Sequence, residues 1–213
     1  MPLYQTISVS ESTLIYIWKV EETESQLAEN INLTENSRSR VSGMRSEIHR
    51  RGYLSIRHLL AEAGYTDKDL FYDDVGKPHL NDGSYISITH SGIFTAIIVG
   101  VEKEVGIDIE KQRKKIIPIA HKFTPIEAYS AIDNAEALIR KLTVVWGAKE
   151  SLYKIYATKG LSFLNHIYIH DFTLDTLATT GKIIFYGRRS GYDINFLEFE
   201  GYTCVYAIKR PYE

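Results

Sequence analysis

The sequence predicts an α+β fold made of two similar halves. Three observations carry this: strand-like apolar runs in each half, one long helical pattern in each half, and the recurring order strand, helix, strands. The first half opens on a strand-like stretch at residues 14–20. A helical pattern begins near Thr34 and ends at Gly64, the residue type favoured just past a helix end. Gly43 and Gly52 weaken that pattern, so it reads as two helices or one bent one. Turn signals follow at Asp73, Asp74, Gly76 and Pro78 and again at Asn81, Asp82 and Gly83, then strands over 85–89 and 94–100. In the second half, 105–110 reads as a strand. A short helix follows Pro125, and a long helix runs over about 135–156 with Asp133 or Asn134 as its cap. Alternation predicts strands at 166–169, 182–186, 194–199 and 202–209. The expected halves are 1–103 and 104–213.

A net charge of −2 provides no global field to attract nucleic acid or a membrane, so an electrostatic partner has to be recruited by a local patch. The single cysteine, Cys204, excludes an internal disulfide framework and a cysteine-based zinc site, and its apolar setting predicts a core filler. The N-terminal residues lack the basic and apolar regions of a signal peptide. The longest apolar run, 93–99, is too short to span a bilayer, so the expected location is the cytoplasm.

The most informative segment is Val105-Gly106-Ile107-Asp108-Ile109-Glu110. On a strand, side chains two apart share a face, so Asp108 and Glu110 point one way and Ile107 and Ile109 the other. Adjacent carboxylates repel unless a cation sits between them, and hard oxygen donors suit Mg²⁺, which binds carboxylates together with substrate phosphates. Alone, the same pattern also fits an edge strand with a solvated acidic face. In the long helix, Trp146, Glu150 and Lys154 are spaced by four and lie along one face. A carboxylate and an amine there can serve a metal and a phosphate, or simply form an exposed pair worth about 0.3–0.5 kcal/mol.

Taken together these segments are specific. Glu150 follows Glu110 by forty positions, and GIDIE followed by Trp146-Gly147-Ala148-Lys149-Glu150-Ser151-Leu152-Tyr153-Lys154 resembles the signature of the 4′-phosphopantetheinyl transferases. Upstream, Gly76-Lys77-Pro78 and Ile88-Thr89-His90-Ser91-Gly92 resemble elements of the larger, surfactin-synthetase-activating type. Phe123-Thr124-Pro125 with Glu127, and Lys159-Gly160-Leu161, extend the likeness over roughly residues 45–165. Gly147 departs from the pattern, replacing the usual small hydroxyl or thiol residue, and Thr89 stands where serine is common.

The resemblance implies two halves related by pseudo-twofold symmetry. It implies transfer of 4′-phosphopantetheine from coenzyme A to a serine of an apo acyl or peptidyl carrier protein, with Mg²⁺ and release of 3′,5′-ADP. Asp108, Glu110 and Glu150 would hold the metal, and Lys154 would neutralise the phosphates. Glu150 or Glu127 would be the general base. Lys77, Thr89 and His90 match coenzyme A contacts. Arg38, Arg40, Arg45, Arg50, Arg51 and Arg57 face one acid, Glu47, within residues 37–58. Such a patch fits the 3′-phosphate or an acidic carrier helix, with Arg50 and Arg57 the foremost ligand candidates. Only Tyr53 interleaves with these arginines and no nucleic-acid reader motif is present, which disfavours nucleic acid. The C-terminal half would carry the metal motifs and the N-terminal half the coenzyme A side, in a chain acting as a monomer. A non-catalytic coenzyme A or carrier-protein binding module and an Mg²⁺-dependent nucleotide hydrolase are the competing readings. His166 and His170 are assigned a structural role, since no third ligand lies near them.

Overall fold

The computed structural model describes residues 3–211 and divides into two units, Met1–Glu102 and Lys103–Glu213. Both combine helices with antiparallel sheet. In the first unit, β1 (Leu3–Ser10) and β2 (Thr13–Lys19) form a hairpin. Three helices follow, α1 (Glu24–Ala28), α2 (Glu35–Gly43) and α3 (Glu47–Glu62). A small hairpin of β3 (Leu70–Tyr72) and β4 (Pro78–Leu80) leads to β5 (Tyr85–Ser91) and β6 (Phe94–Gly100). The main sheet has the order β1-β2-β6-β5.

The helical pattern expected from Thr34 to Gly64 is two helices. Gly43 ends α2, and residues 44–46 are extended before α3 starts. Thr34 caps α2, its Oγ1 accepting from the Ser37 N–H, and Gly64 follows α3 with φ of 84°. Leu54, Leu59 and Leu60 on α3 bury against Tyr16, Trp18, Ile97 and Val99 of the sheet.

The second unit opens with β7 (Val105–Lys111). Two 3₁₀ segments follow, Lys114–Lys122 and Ile126–Tyr129, so the turn after Pro125 is 3₁₀ and not α. Next come α4 (Ala135–Tyr156), α5 (Phe163–His166), β8 (Ile167–Ile169) and a 3₁₀ turn at Leu174–Thr176. β9 (Ala178–Phe185), β10 (Arg188–Phe199) and β11 (Tyr202–Lys209) complete the unit. The sheet order is β7-β11-β10-β9-β8. Asn134 is the cap of α4, its Oδ1 accepting from the N–H groups of Glu136 and Ala137. Two-residue loops close β9–β10 and β10–β11. Tyr186 and Gly187 (φ 48° and 75°), like Glu200 and Gly201 (46° and 75°), have positive φ at both positions, the twist that fits antiparallel strands.

Within each unit a strand leads to a helix that packs on it, and the last strand lies beside that first one. The order is β2-β6-β5 under α3 and β7-β11-β10 under α4. Beyond that shared trio the sheets differ, with β1 added on one side in the first unit and β9 and β8 on the other in the second. Cys204 is fully buried and in no disulfide. No helix among the described residues is long and apolar enough to cross a membrane.

Candidate functional site

The second unit assembles its acidic residues where α4 crosses β7 and β11. Two glycines permit the crossing. A Cβ on Gly106 would stand 2.1 Å from the Ser151 carbonyl oxygen, and one on Gly147 would stand 2.8 Å from Val205 Cγ2. Gly147, the departure noted in the sequence, is therefore explained by packing: the helix lies too close to β11 there for a side chain. Ser151 Oγ, 3.0 Å from the Val205 carbonyl oxygen, ties the same turn of helix to the sheet.

Pairing of β7 with β11 sets Asp108 opposite Val205 and Glu110 opposite Thr203. Gly106, Asp108 and Glu110 thus share the face under α4, while Ile107 and Ile109, at 0% and 1% exposure, take the other. The helix answers residue by residue. Trp146 Nε1 donates to Glu110 Oε1 at 3.0 Å. Lys154 Nζ donates to Asp108 Oδ1 and to the Ile107 carbonyl, both at 2.8 Å. Glu150, half-buried, lies one turn from each of them. Trp146 is held by rings on two sides, Phe123 with centroids 5.1 Å away and Phe163 at 5.4 Å.

The carboxylates feel one another. Burial raises Glu110 above the usual carboxylate range, and the Asp108 charge adds to this against the opposing Trp146 hydrogen bond and Lys154. Burial pushes Glu150 up to about 7, with Asp108 and Glu110 raising it further and Lys154 opposing. Three hard carboxylate donors that destabilise one another's charged forms match a divalent cation in kind. As they stand they do not converge: among the described residues no group of three His, Cys, Asp or Glu side chains is close enough to hold a metal ion. Glu127, the other expected base, is exposed in the first turn of the 3₁₀ segment; its carbonyl accepts from the Ser130 N–H, and its side chain makes no hydrogen bond or ion pair with another described residue.

One residue here escaped the sequence reading. Lys149 is 3% exposed and donates through Nζ to the carbonyls of Phe163 and Ile167, each at 2.6 Å. It fastens α5 to α4 and so seats the Phe163 ring against Trp146. Burial lowers its pKa to about 8. Its place directly before Glu150 is a sequence signal, but its acceptors are backbone oxygens that no side-chain pattern marks.

The first unit holds a cleft of about 300 Å³ between α2, α3 and β5. Thr89, His90 and Arg57 line it, together with Arg40, His49, Tyr53 and Tyr72. The His49 and His90 rings meet edge to face with centroids 6.0 Å apart, and the Arg40 guanidinium lies 5.2 Å from the Tyr72 ring centre and 5.7 Å from that of Tyr53. His49, Tyr53 and Tyr72 were not foreseen as lining residues.

Two foremost arginine candidates have internal duties. Arg57 Nε donates to Asp67 Oδ1 at 2.8 Å with both side chains buried, and its guanidinium lies 3.5 Å from the Tyr53 ring centre. Its charge is balanced inside the fold, which the expectation of a ligand contact had not included. Arg50 donates to Glu24 Oε2 and to the Met44 carbonyl, both at 2.8 Å, and lies outside the cleft lining. Lys77 also lies outside it, in a turn where its backbone N–H donates to Asp73 Oδ1. His166 and His170 are engaged locally, His166 Nδ1 with the Ser162 N–H and His170 Nδ1 with Thr180 Oγ1.

Residues 104–207, a little under half of the chain, match the model of one protein family, described as the 4′-phosphopantetheinyl transferase superfamily. The matched span contains Asp108, Glu110, Glu127, Glu150 and Lys154. No curated protein matches the chain.

Proposed function

We propose that this chain transfers the 4′-phosphopantetheine arm of coenzyme A to a serine of an apo acyl or peptidyl carrier protein, as an enzyme of the larger, surfactin-synthetase-activating type. The observation that supports this most is the pairing of strand and helix inside the matched span: Asp108 and Glu110 on one face of β7, with Glu150 and Lys154 on the face of α4 laid over it.

In this reading the carrier serine oxygen attacks the β-phosphorus of coenzyme A. The bond from that phosphorus to the bridging oxygen of 3′,5′-ADP breaks, and the serine proton passes to a carboxylate base. Such a transfer is limited by charge neutralisation and alignment more than by covalent help. Asp108, Glu110 and Glu150 would hold Mg²⁺, which supplies charge neutralisation on the pyrophosphate. Lys154, already at the acidic cluster, offers its ammonium to the phosphates and to the departing oxygen. Glu150 and Glu127 both have the chemistry of the base, and Glu127→Gln beside Glu150→Gln separates them by which one removes turnover while coenzyme A still binds. The cleft holding Thr89 and His90 is the proposed coenzyme A side of the first unit, with Lys77, Arg50 and Arg57 as its basic surroundings. The chain is read as a cytoplasmic monomer.

The test is incubation with coenzyme A, Mg²⁺ and a panel of apo carrier proteins, read by mass spectrometry. A mass gain of one phosphopantetheine arm on the carrier supports the proposal. Coenzyme A binding with no turnover on any carrier makes the chain a binding module, and coenzyme A cleavage without carrier labelling makes it a hydrolase.

A further inference from the structure

Beside α5 the second unit has a hollow of about 350 Å³, bounded by α4, β8 and the 3₁₀ turn after Pro125. Its walls are largely apolar, with Pro125, Ala128, Leu164, Ile169 and Phe172 among them. None of Asp108, Glu110, Glu150 and Lys154 lines it.

The charges in this lining do not cancel. Asp171 is its one acid, and Lys141 pairs with it at 2.8 Å. That leaves Lys149, which is 3% exposed and has no acidic partner among the described residues. An ammonium has three donors. Two go to the carbonyls of Phe163 and Ile167, and the third has no acceptor among the described residues. Burying a charge without a counter-charge is costly, and an anion brought to it recovers part of that cost. The backbone adds a second donor. β8 is the last strand of its sheet, so one of its sides is unpaired. The His170 N–H donates to the Thr180 carbonyl, which makes His170 with Thr180, and Tyr168 with Lys182, the hydrogen-bonded pairs against β9. Ile169, between them, turns its N–H to the open side. The Ile167 carbonyl that Lys149 grips lies on that same side, and the Ile169 N–H is the next polar group along it.

We infer that this hollow binds a monocarboxylate with a short aliphatic tail, its carboxylate at Lys149 and the Ile169 N–H and its tail against Pro125, Leu164 and Phe172. One unbalanced ammonium and one backbone N–H match the single charge and two oxygens of a carboxylate. A phosphate dianion would bring more charge than Lys149 balances. The apolar walls give the tail a place out of water, in a space of the size small ligands occupy. This inference is independent of the transferase reading, because it uses none of the residues assigned to transfer.

The experiment is isothermal titration of the intact chain near neutral pH with hexanoate, hexanamide and acetate, in EDTA so that no cation at the acidic cluster can hold a carboxylate. Hexanoate should bind saturably. Hexanamide, which keeps the tail and loses the charge, should bind at least about tenfold more weakly. Acetate, which keeps the charge and loses most of the tail, should also bind at least about tenfold more weakly. Lys149→Met, similar in length and uncharged, should bring hexanoate down to the affinity of hexanamide. Should that variant fold poorly, Ala128→Trp fills the hollow from its exposed rim and should abolish hexanoate binding at an unchanged melting temperature. Absence of saturable hexanoate binding, equal binding of hexanamide or acetate, or hexanoate affinity unchanged in a folded Lys149→Met or in Ala128→Trp would each overturn the inference.

Discussion

The two units bury charge in opposite ways under similarly placed helices. Under α3, Arg57 and Asp67 form a closed set. Burial by itself raises the Asp67 carboxyl, but the Thr34 N–H, the Ser37 hydroxyl and the Arg57 guanidinium pull harder and hold it below the usual carboxylate range. Under α4, Asp108, Glu110 and Glu150 crowd around the Lys154 ammonium, with Arg113 also acting on Glu110, and two of the three are still held above their ordinary range. A balanced pair locks a fold, because removing one partner strands the other. An unbalanced cluster retains a demand for outside cations, and that is the property a phosphate-transfer site needs. The arginine that looked like a ligand residue belongs to the first kind, and the acids that looked like an edge strand belong to the second.

This contrast can be broken at both ends. The largest effect is expected from Asp108→Asn. Carrier labelling, followed by mass spectrometry, should fall by about 10²-fold or more, while the circular dichroism spectrum stays as it was; undiminished labelling would remove Asp108 from the site. Next is Arg57→Met. Leaving Asp67 buried without its partner should cost about 3–5 kcal/mol in urea unfolding, and a loss under 1 kcal/mol would show that the pair is not structural. Gly106→Ala comes third: the new methyl meets the Ser151 carbonyl, so α4 has to lift, at about 1–3 kcal/mol, with a fall in labelling alongside.

The smallest effect concerns Lys149, whose pKa is about 8 in the fold against an ordinary 10.5. Below pH 8 both states are protonated, and the cost of burying the ammonium is present in full. Between pH 8 and 10.5 the unfolded chain binds the extra proton, so stability should rise with pH by at most about 3–4 kcal/mol, less whatever the two carbonyl acceptors hold back. Lys149→Met should flatten that rise in urea titrations at stepped pH. Identical slopes in both proteins would show that Lys149 does not titrate there.

Much of the frame could be read in advance where the local pattern is strong. The long helix and the alternation of β7 follow from periods of 3.6 and 2 that tertiary contacts do not disturb, and the 94–100 strand from a nearly unbroken apolar run that is buried throughout. The missing pieces have physical causes. β1 is largely exposed and polar, so no apolar alternation announces it. The beginning of β10 was missed because its turn sets Tyr186, not asparagine or aspartate, at positive φ. In the site, the acids and Lys154 were legible only through the family resemblance of the two segments together, since the spacing of each alone also fitted a solvated face. The commitment of Arg57 to Asp67 was not, because a pair that closes through a loop leaves no periodic trace. The aromatic seat of Trp146 depends on Phe163, whose position is fixed by a lysine gripping main-chain oxygens.

The crossing of Gly106 and Ser151 has a consequence for how such a protein tolerates change. There the gap between strand and helix is gauged by main chain against main chain, with no side chain acting as a spacer. Substitutions among aliphatic residues other than Val205 and Ile155, which themselves meet the two glycines, can therefore accumulate, or be introduced by design, with little effect on the stand-off between the strand's acids and the helix's acid. The dimension that matters most to the chemistry is the one least exposed to drift in the core.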